Sequence, residues 1–150
     1  MKSKLSTLDV FVYGTLQPGE VNYSAYCGAK VVSQIPVYTR GNLYALPIGY
    51  PAMSEGENQV HGVLLRFNDF SILASLDRLE DYHEQRTSEL NEYYRQLASV
   101  YNYSDRLIGQ AWAYYMAIAR IKQYQGKKVA SGCWTGSLNI ALNSSRFKSY

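Results

Sequence analysis

The sequence predicts a single sheet-dominated domain with one covering helix, and three observations carry that reading. The chain has 150 residues, the size of one domain; five or six of its segments are apolar runs of strand length; and a single segment repeats its leucines at helical spacing. Hydrophobic residues make up 47% and charged residues 18%, which is enough apolar material for a core and too little charge for a disordered chain. Residues 1–150 are therefore read as one domain.

Asp9 to Tyr13 is an almost continuous apolar run ending at Gly14, the pattern of a strand buried on both faces and stopped by a turn. After Pro18 and Gly19, the stretch Asn22 to Cys27 suits a short helix, and Lys30 to Tyr38 is extended, with Val31, Val32, Ile35 and Val37. Gly41 to Leu46 and Gln59 to Phe67 read as two further strands. Between them, Pro47, Gly49, Pro51, Gly56 and Asn58 predict a loop without regular structure. In the second of these strands His61, Val63, Leu65 and Phe67 share a face.

Helical spacing follows Asn68 or Asp69 as the N-cap, where Ile72, Leu73, Leu76 and Leu79 recur at intervals of three and four. Tyr93 to Tyr101 and Leu107 to Met116 give two more strands, joined by the polar connection Asn102 to Arg106. From Ser131 onward the chain mixes Trp134, Leu138, Ile140 and Leu142 with Asn and Ser, which predicts one packed aromatic and a partly ordered end.

Composition excludes several classes of function. The net charge of +3 is spread along the chain, with only Lys127 and Lys128 side by side, so a dense nucleic-acid face is not expected. The fifteen tyrosines do not form an aromatic-rich RNA-recognition strand. Cys27 and Cys133 are far apart, so neither a disulfide framework nor a metal site is expected, and both are read as reduced thiols. Asp9 interrupts the N-terminal apolar stretch, and no window approaches the roughly 18 apolar residues of a membrane span. The expectation is a cytoplasmic protein with no membrane partner; nothing in the pattern specifies an oligomeric state.

Two features carry chemistry. Glu80 lies four residues after Leu76 and seven after Leu73, which places a carboxylate on the apolar stripe of the helix. Burial and the negative end of the helix dipole would both raise its proton affinity, as a general base near neutral pH requires. Pattern alone favours the plainer alternative, in which Glu80 opens the next loop and joins the solvated run of Asp77, Arg78 and Asp81. The second feature is Tyr13-Gly14-Thr15-Leu16, a glycine turn after a buried strand, where backbone N–H groups can face an anion. It lacks the lysine of a Walker loop and the three glycines of a dinucleotide loop, so no nucleotide cofactor is implied. A tight turn without a ligand fits the same residues.

Phe11 to Leu16 with Gly19 and Asn22, Gly41 to Tyr44, Gly49-Tyr50-Pro51, Val60-His61-Gly62 and Leu76 to Glu80 with Tyr82 together resemble the gamma-glutamylcyclotransferase-like family. The likeness continues through Tyr94-Arg95, Ala111 to Tyr114 and Ser131 to Trp134, in the family's order along nearly the whole chain. It implies an α+β fold, a small mixed β-barrel flanked by a few helices. It also implies Glu80 as catalytic acid/base and Tyr13, Gly14, Thr15 and Leu16 as the substrate loop. The implied reaction turns a small gamma-glutamyl substrate into 5-oxoproline and an amine or amino acid, with no cofactor and no metal.

By the same resemblance the Tyr114 hydroxyl reaches the substrate, although a cross-strand aromatic pair explains Tyr114 nearly as well. Tyr50 precedes Pro51 in a loop able to line the pocket, where a cis bond is one option. Neither His61 nor His83 is assigned a role, and Arg95 is read as a structural ion pair in preference to a substrate clamp. Two positions depart from the family pattern: Asp81 stands where many members have glycine, and Gln17 where many have lysine or arginine. A non-catalytic binding module and a different acyl-group transferase remain open beside the cyclotransferase reading.

Overall fold

The computed structural model describes residues 7–87 and 90–144. Six strands dominate: β1 (Leu8–Val12), β2 (Val31–Ala45), β3 (Pro51–Phe67), β4 (Tyr94–Tyr101), β5 (Leu107–Tyr115) and the short β6 (Lys127–Lys128). Three α-helices accompany them: α1 (Ser71–Leu79), α2 (Ile118–Gln123) and α3 (Gly136–Ser144), with a π-helical turn at Ser24–Gly28. The sheet order is β3-β1-β5-β4-β2-β6, and β2 also pairs with β3, so the pairings run round in a ring. The ring stops short of a continuous barrel, because β2 meets β4 at the single pair Tyr38↔Tyr101 and β1 meets β5 at Val10↔Trp112. The β1–β5 pairing is parallel and the others antiparallel, which makes the sheet mixed.

The apolar run of β1 has a direct cause. Its alternate residues feed two cores: Leu8, Val10 and Val12 pack with Leu65, Phe67, Ile72 and Leu76, whereas Phe11 packs with Val37, Val60, Leu64 and Trp134. The first core lies under α1 and the second among the strands. The N-cap is Phe70, one residue later than expected and without a side-chain cap bond; just before it the Asp69 carboxylate accepts the Ser71 N–H at 2.9 Å, a local turn bond that leads into the helix.

The predicted loop between the second and third strand segments is largely strand. β3 starts at Pro51, a first-strand position that needs no ladder N–H, and runs 17 residues to Phe67. The register passes from Gly41↔Asn58 to Asn42↔Ser54, so Glu55, Gly56 and Glu57 bulge out of the ladder, which has a second irregularity between Val31 and Ser33. The bulge absorbs the glycine that the sequence reading took as a strand breaker. Likewise, the two segments expected on either side of Arg40 are one strand, the 15-residue β2.

Leu76 is fully buried and holds the middle of α1 against the sheet, one turn before Glu80. Leu76→Ala is expected to lower stability by about 2–5 kcal/mol, as cavity-forming substitutions do, read as an earlier midpoint in chemical denaturation.

Candidate active site

A cavity of about 150 Å³ opens between the loop after β1, the start of β3, the end of α1 and the segment before β4. All seven residues expected at the site, Tyr13, Gly14, Thr15, Leu16, Tyr50, Glu80 and Tyr114, line it. Phe11, Asn22, Leu79, Glu92 and Tyr93 are among the residues that complete the wall.

The position of Glu80 follows from how α1 ends. The helix closes with Asp81 N–H to Arg78 O at 3.3 Å and Tyr82 N–H to Asp77 O at 2.9 Å, the paired bonds of a Schellman motif. That motif requires a left-handed residue just past the cap, and Asp81 supplies it with φ of 53°. Asp81 thus does the job of the glycine it replaces, and its carboxylate pairs outward with Arg86 at 3.1 Å. Glu80, the cap residue, is thereby aimed into the cavity, neither a loop residue in water nor one more member of the apolar stripe.

Although residue 80 keeps some solvent contact, protein surrounds its carboxyl. Burial, and after it the charge of Glu92, pushes Glu80 up to about 8 from the ordinary 4.5. Glu92 is the second acid of the cavity. It accepts the Tyr124 hydroxyl at 2.8 Å and the Tyr50 hydroxyl at 3.2 Å, and Arg120 lies 3.5 Å away. Sequence reasoning missed Glu92, because nothing in the polar stretch before β4 sets it apart; two tyrosines distant along the chain give it a role.

Opposite the acids, the β1 loop is tied by Gln17 N–H to Gly14 O at 3.0 Å and Asn22 N–H to Thr15 O at 2.8 Å. None of the bonds recorded among the described residues uses the N–H groups of Gly14, Thr15 and Leu16. The Gln17 amide binds the carbonyls of Tyr13, Gly14 and Trp134, at 3.0, 3.3 and 3.1 Å. It pins the loop to the C-terminal segment through Trp134. Gly14 is required by contact: a Cβ there would stand 2.5 Å from Pro51 Cγ.

The tyrosines are mostly engaged with protein. Tyr13 lines the cavity, and its hydroxyl donates to Tyr114 O at 2.7 Å and accepts the Met53 N–H, tying the loop after β1 to β5 and β3. Tyr114 donates to Asp77 Oδ1 at 2.6 Å, which leaves its oxygen able only to accept from a ligand. Arg95 bonds the same Asp77 oxygen at 2.8 Å and lies over Trp112 and Tyr82, a structural ion pair. The Tyr50–Pro51 bond is trans. His61 stacks on Tyr103 with centroids 5.6 Å apart, and His83 donates its backbone N–H to Asn91. Cys27 is buried and Cys133 exposed, both as free thiols. Among the described residues no group of three or more His, Cys, Asp or Glu side chains gathers as metal ligands, and no helix is long and apolar enough to cross a membrane.

Residues 10–136 match the model of the family described as "Gamma-glutamyl cyclotransferase, AIG2-like". The chain belongs to this family. A Vibrio cholerae protein provisionally named a gamma-glutamylcyclotransferase is 39% identical over 72 residues, 48% of this chain and 61% of that protein. Among solved structures, YkqA from Bacillus subtilis superposes with a TM-score of 0.62 at 21% identity, over 93% of this chain and 43% of that one. An AIG2-like protein from Mus musculus gives 0.58 at 20% identity, over 74% of this chain and 78% of that one. These likenesses establish the mixed α+β fold of the gamma-glutamyl cyclotransferase family.

Two outcomes test the site as a physical object. Gly14→Ala is expected to cost about 1–3 kcal/mol through overpacking against Pro51, visible as a lowered melting temperature. Because the folded Glu80 carboxyl holds its proton up to about 8 and the unfolded one only to 4.5, the stability linked to the neutral form is full below 4.5 and lost as pH rises through 8. Glu80→Gln is therefore expected to exceed wild type in stability above that range, by on the order of 1–3 kcal/mol, with the gap closing toward the acid side. Denaturation curves across pH would read it; a constant gap at every pH would contradict the shifted carboxyl.

Proposed function

We propose that the protein is a gamma-glutamylcyclotransferase-type enzyme with Glu80 as its acid/base. The observation that carries the reading is one carboxyl group, pushed up to about 8, lining one cavity with a loop whose N–H groups have no bonding partner among the described residues. Family membership over residues 10–136 supports the same chemistry.

In the proposed reaction the α-amine of a gamma-glutamyl group attacks its own gamma-carbonyl carbon. A carbon–nitrogen bond forms, closing the five-membered ring of 5-oxoproline, and the bond from that carbon to the leaving nitrogen breaks. Glu80 takes the proton from the attacking nitrogen and hands it to the departing one, so a single carboxylate serves both halves. The nucleophile is tethered to its target, and such intramolecular attack reaches effective molarities on the order of 10⁵ M or more. The protein has then to fix the reactive conformer, move one proton and stabilise one oxyanion. The N–H groups of Gly14, Thr15 and Leu16 suit the substrate carboxylate or that oxyanion, held by donors that need no reorganisation.

Incubation with gamma-glutamyl amino acids and gamma-glutamyl amines, with 5-oxoproline detected by mass spectrometry, tests the proposal. Wild type is expected to form 5-oxoproline and a folded Glu80→Gln protein to lose roughly 10²-fold or more. Wild-type kcat/KM is expected to climb as pH rises through about 8, where the carboxylate form of Glu80 takes over. Turnover that is indifferent to the Glu80→Gln change would overturn the assignment.

A further inference from the structure

Gln17 is not among the described residues that line the cavity, yet it grips the loop that does. Its amide end lies 3.0 Å from Tyr13 O, 3.3 Å from Gly14 O and 3.1 Å from Trp134 O. Carbonyl oxygens only accept, so this end of the side chain is the donating NH₂, whose two hydrogens are shared among three acceptors. The far side of the grip is firm. Trp134 is buried, its indole N–H donates to Asn139 at 2.8 Å, and Gly136 N–H donates at 3.2 Å to Glu20 in the same loop as Gln17.

The consequence lies in the peptide planes. In a trans peptide unit the carbonyl of one residue and the N–H of the next point in opposite directions, and no cis bond occurs among the described residues. Fixing Tyr13 O therefore fixes the direction of Gly14 N–H, and fixing Gly14 O fixes that of Thr15 N–H. Gln17 holds both carbonyls, the second also through its own backbone N–H at 3.0 Å. A different residue holds the next unit: Asn22 N–H donates to Thr15 O at 2.8 Å, which sets Leu16 N–H. Three successive carbonyls are thus occupied by protein, and the N–H groups at the other ends of those units have no bonding partner among the described residues.

We propose that Gln17 is a positioning residue of the substrate loop: by drawing the carbonyls of Tyr13 and Gly14 to itself, it presents the N–H groups of Gly14 and Thr15 to an anionic oxygen of the ligand. This rests on the cyclotransferase reading of the same cavity. Donors set before the ligand arrives need no reorganisation. A flipped peptide unit would instead offer a carbonyl oxygen, which repels an anion, so the sign of the site depends on the Gln17 amide. No side-chain cation can substitute: the charged residues that line the cavity are Glu80 and Glu92, and among the described residues no lysine, arginine or histidine does.

Two substitutions separate the donor from the shape of the side chain. Gln17→Met keeps the length and removes the donors, and Gln17→Glu keeps the outline but sets an oxygen against three carbonyl oxygens. Each is placed in the Glu80→Gln background, so that the ligand is not consumed, and titrated to saturation with gamma-glutamyl methylamide while ¹H–¹⁵N NMR follows the backbone amides. The dispersion of the same spectra confirms the fold. In the Glu80→Gln parent the signals of Gly14, Thr15 and Leu16 are expected to move with ligand. With either Gln17 substitution the responses of Gly14 and Thr15 are expected to collapse, while Leu16, whose peptide unit is set by Asn22, still responds. With Glu80 intact, both substitutions are expected to lower kcat/KM for 5-oxoproline formation by roughly tenfold or more, misaligned donors costing less than the 10²–10³-fold of a donor removed outright.

Loss of all three responses alike is the mark of a merely structural role and overturns the proposal, as does a parent in which Gly14 and Thr15 do not respond. Unchanged 5-oxoproline formation in both Gln17 variants also overturns it, while leaving the cyclotransferase reading intact. The predicted split among the three amides, in a protein whose wild type forms no 5-oxoproline, sustains the role of Gln17 and removes the reaction assigned to the cavity.

Discussion

The site depends on where α1 stops. The Schellman closure at Asp77, Arg78, Asp81 and Tyr82 sets the direction in which the cap residue Glu80 leaves the helix. Asp77 is the pivot of that closure, because its carbonyl accepts the Tyr82 N–H while its carboxylate accepts from both Arg95 on β4 and Tyr114 on β5. One residue thus ties the helix end to two neighbouring strands. The Glu80 carbonyl then accepts the Tyr93 N–H at 3.3 Å, which carries the same constraint into the segment that bears Glu92. Helix, sheet and both acids are positioned by one connected set of bonds.

That rigidity has an energetic purpose. A buried carboxyl with a second acid beside it is unfavourable, and a pliable site would relieve the cost by turning Glu80 outward to water. Buried Leu76 on one side, and Tyr93 bonded to Pro51 O at 2.6 Å on the other, hold the wall in place and keep the carboxyl desolvated. The opposite wall is fixed independently by Gln17 and by the contact between Gly14 and Pro51. Two acids and a donor-bearing loop therefore line the same cavity, an arrangement that suits the zwitterionic gamma-glutamyl group of the proposed reaction.

Much of this was legible in the residues, and the reasons differ from element to element. β1, β4, β5 and α1 announce themselves because each has a burial pattern of its own period, and Asp69 marks the helix start. β2 and β3 were cut too short because Pro51, Gly56 and Asn58 break strands in general, and only the pairing register reveals a bulge that accommodates them. α2 and α3 went unread: α2 has only six residues, and α3 is fixed by the tertiary bonds of Asn139 to Trp134 Nε1 and Leu46 O rather than by an apolar stripe. At the site, Glu80 and the Tyr13–Leu16 loop were visible as anomalies. Pattern alone leaned toward solvent for Glu80, since a shift of one residue at the helix end decides its direction. Glu92 was invisible because its meaning lies wholly in side chains brought together by the fold, and Asp81 read as a departure until its backbone angle explained it.

The central claim is the protonation of one carboxyl, and the most direct test observes it. Carbon-13 labelling of the glutamate side-chain carboxyls, with Glu80→Gln to assign the signal, would follow Glu80 through a pH titration by NMR. The account predicts an inflection near 8 for that one resonance. An inflection at the ordinary 4.5 would mean that the carboxyl is solvated, and the account of the site as a desolvated acid/base centre would be contradicted.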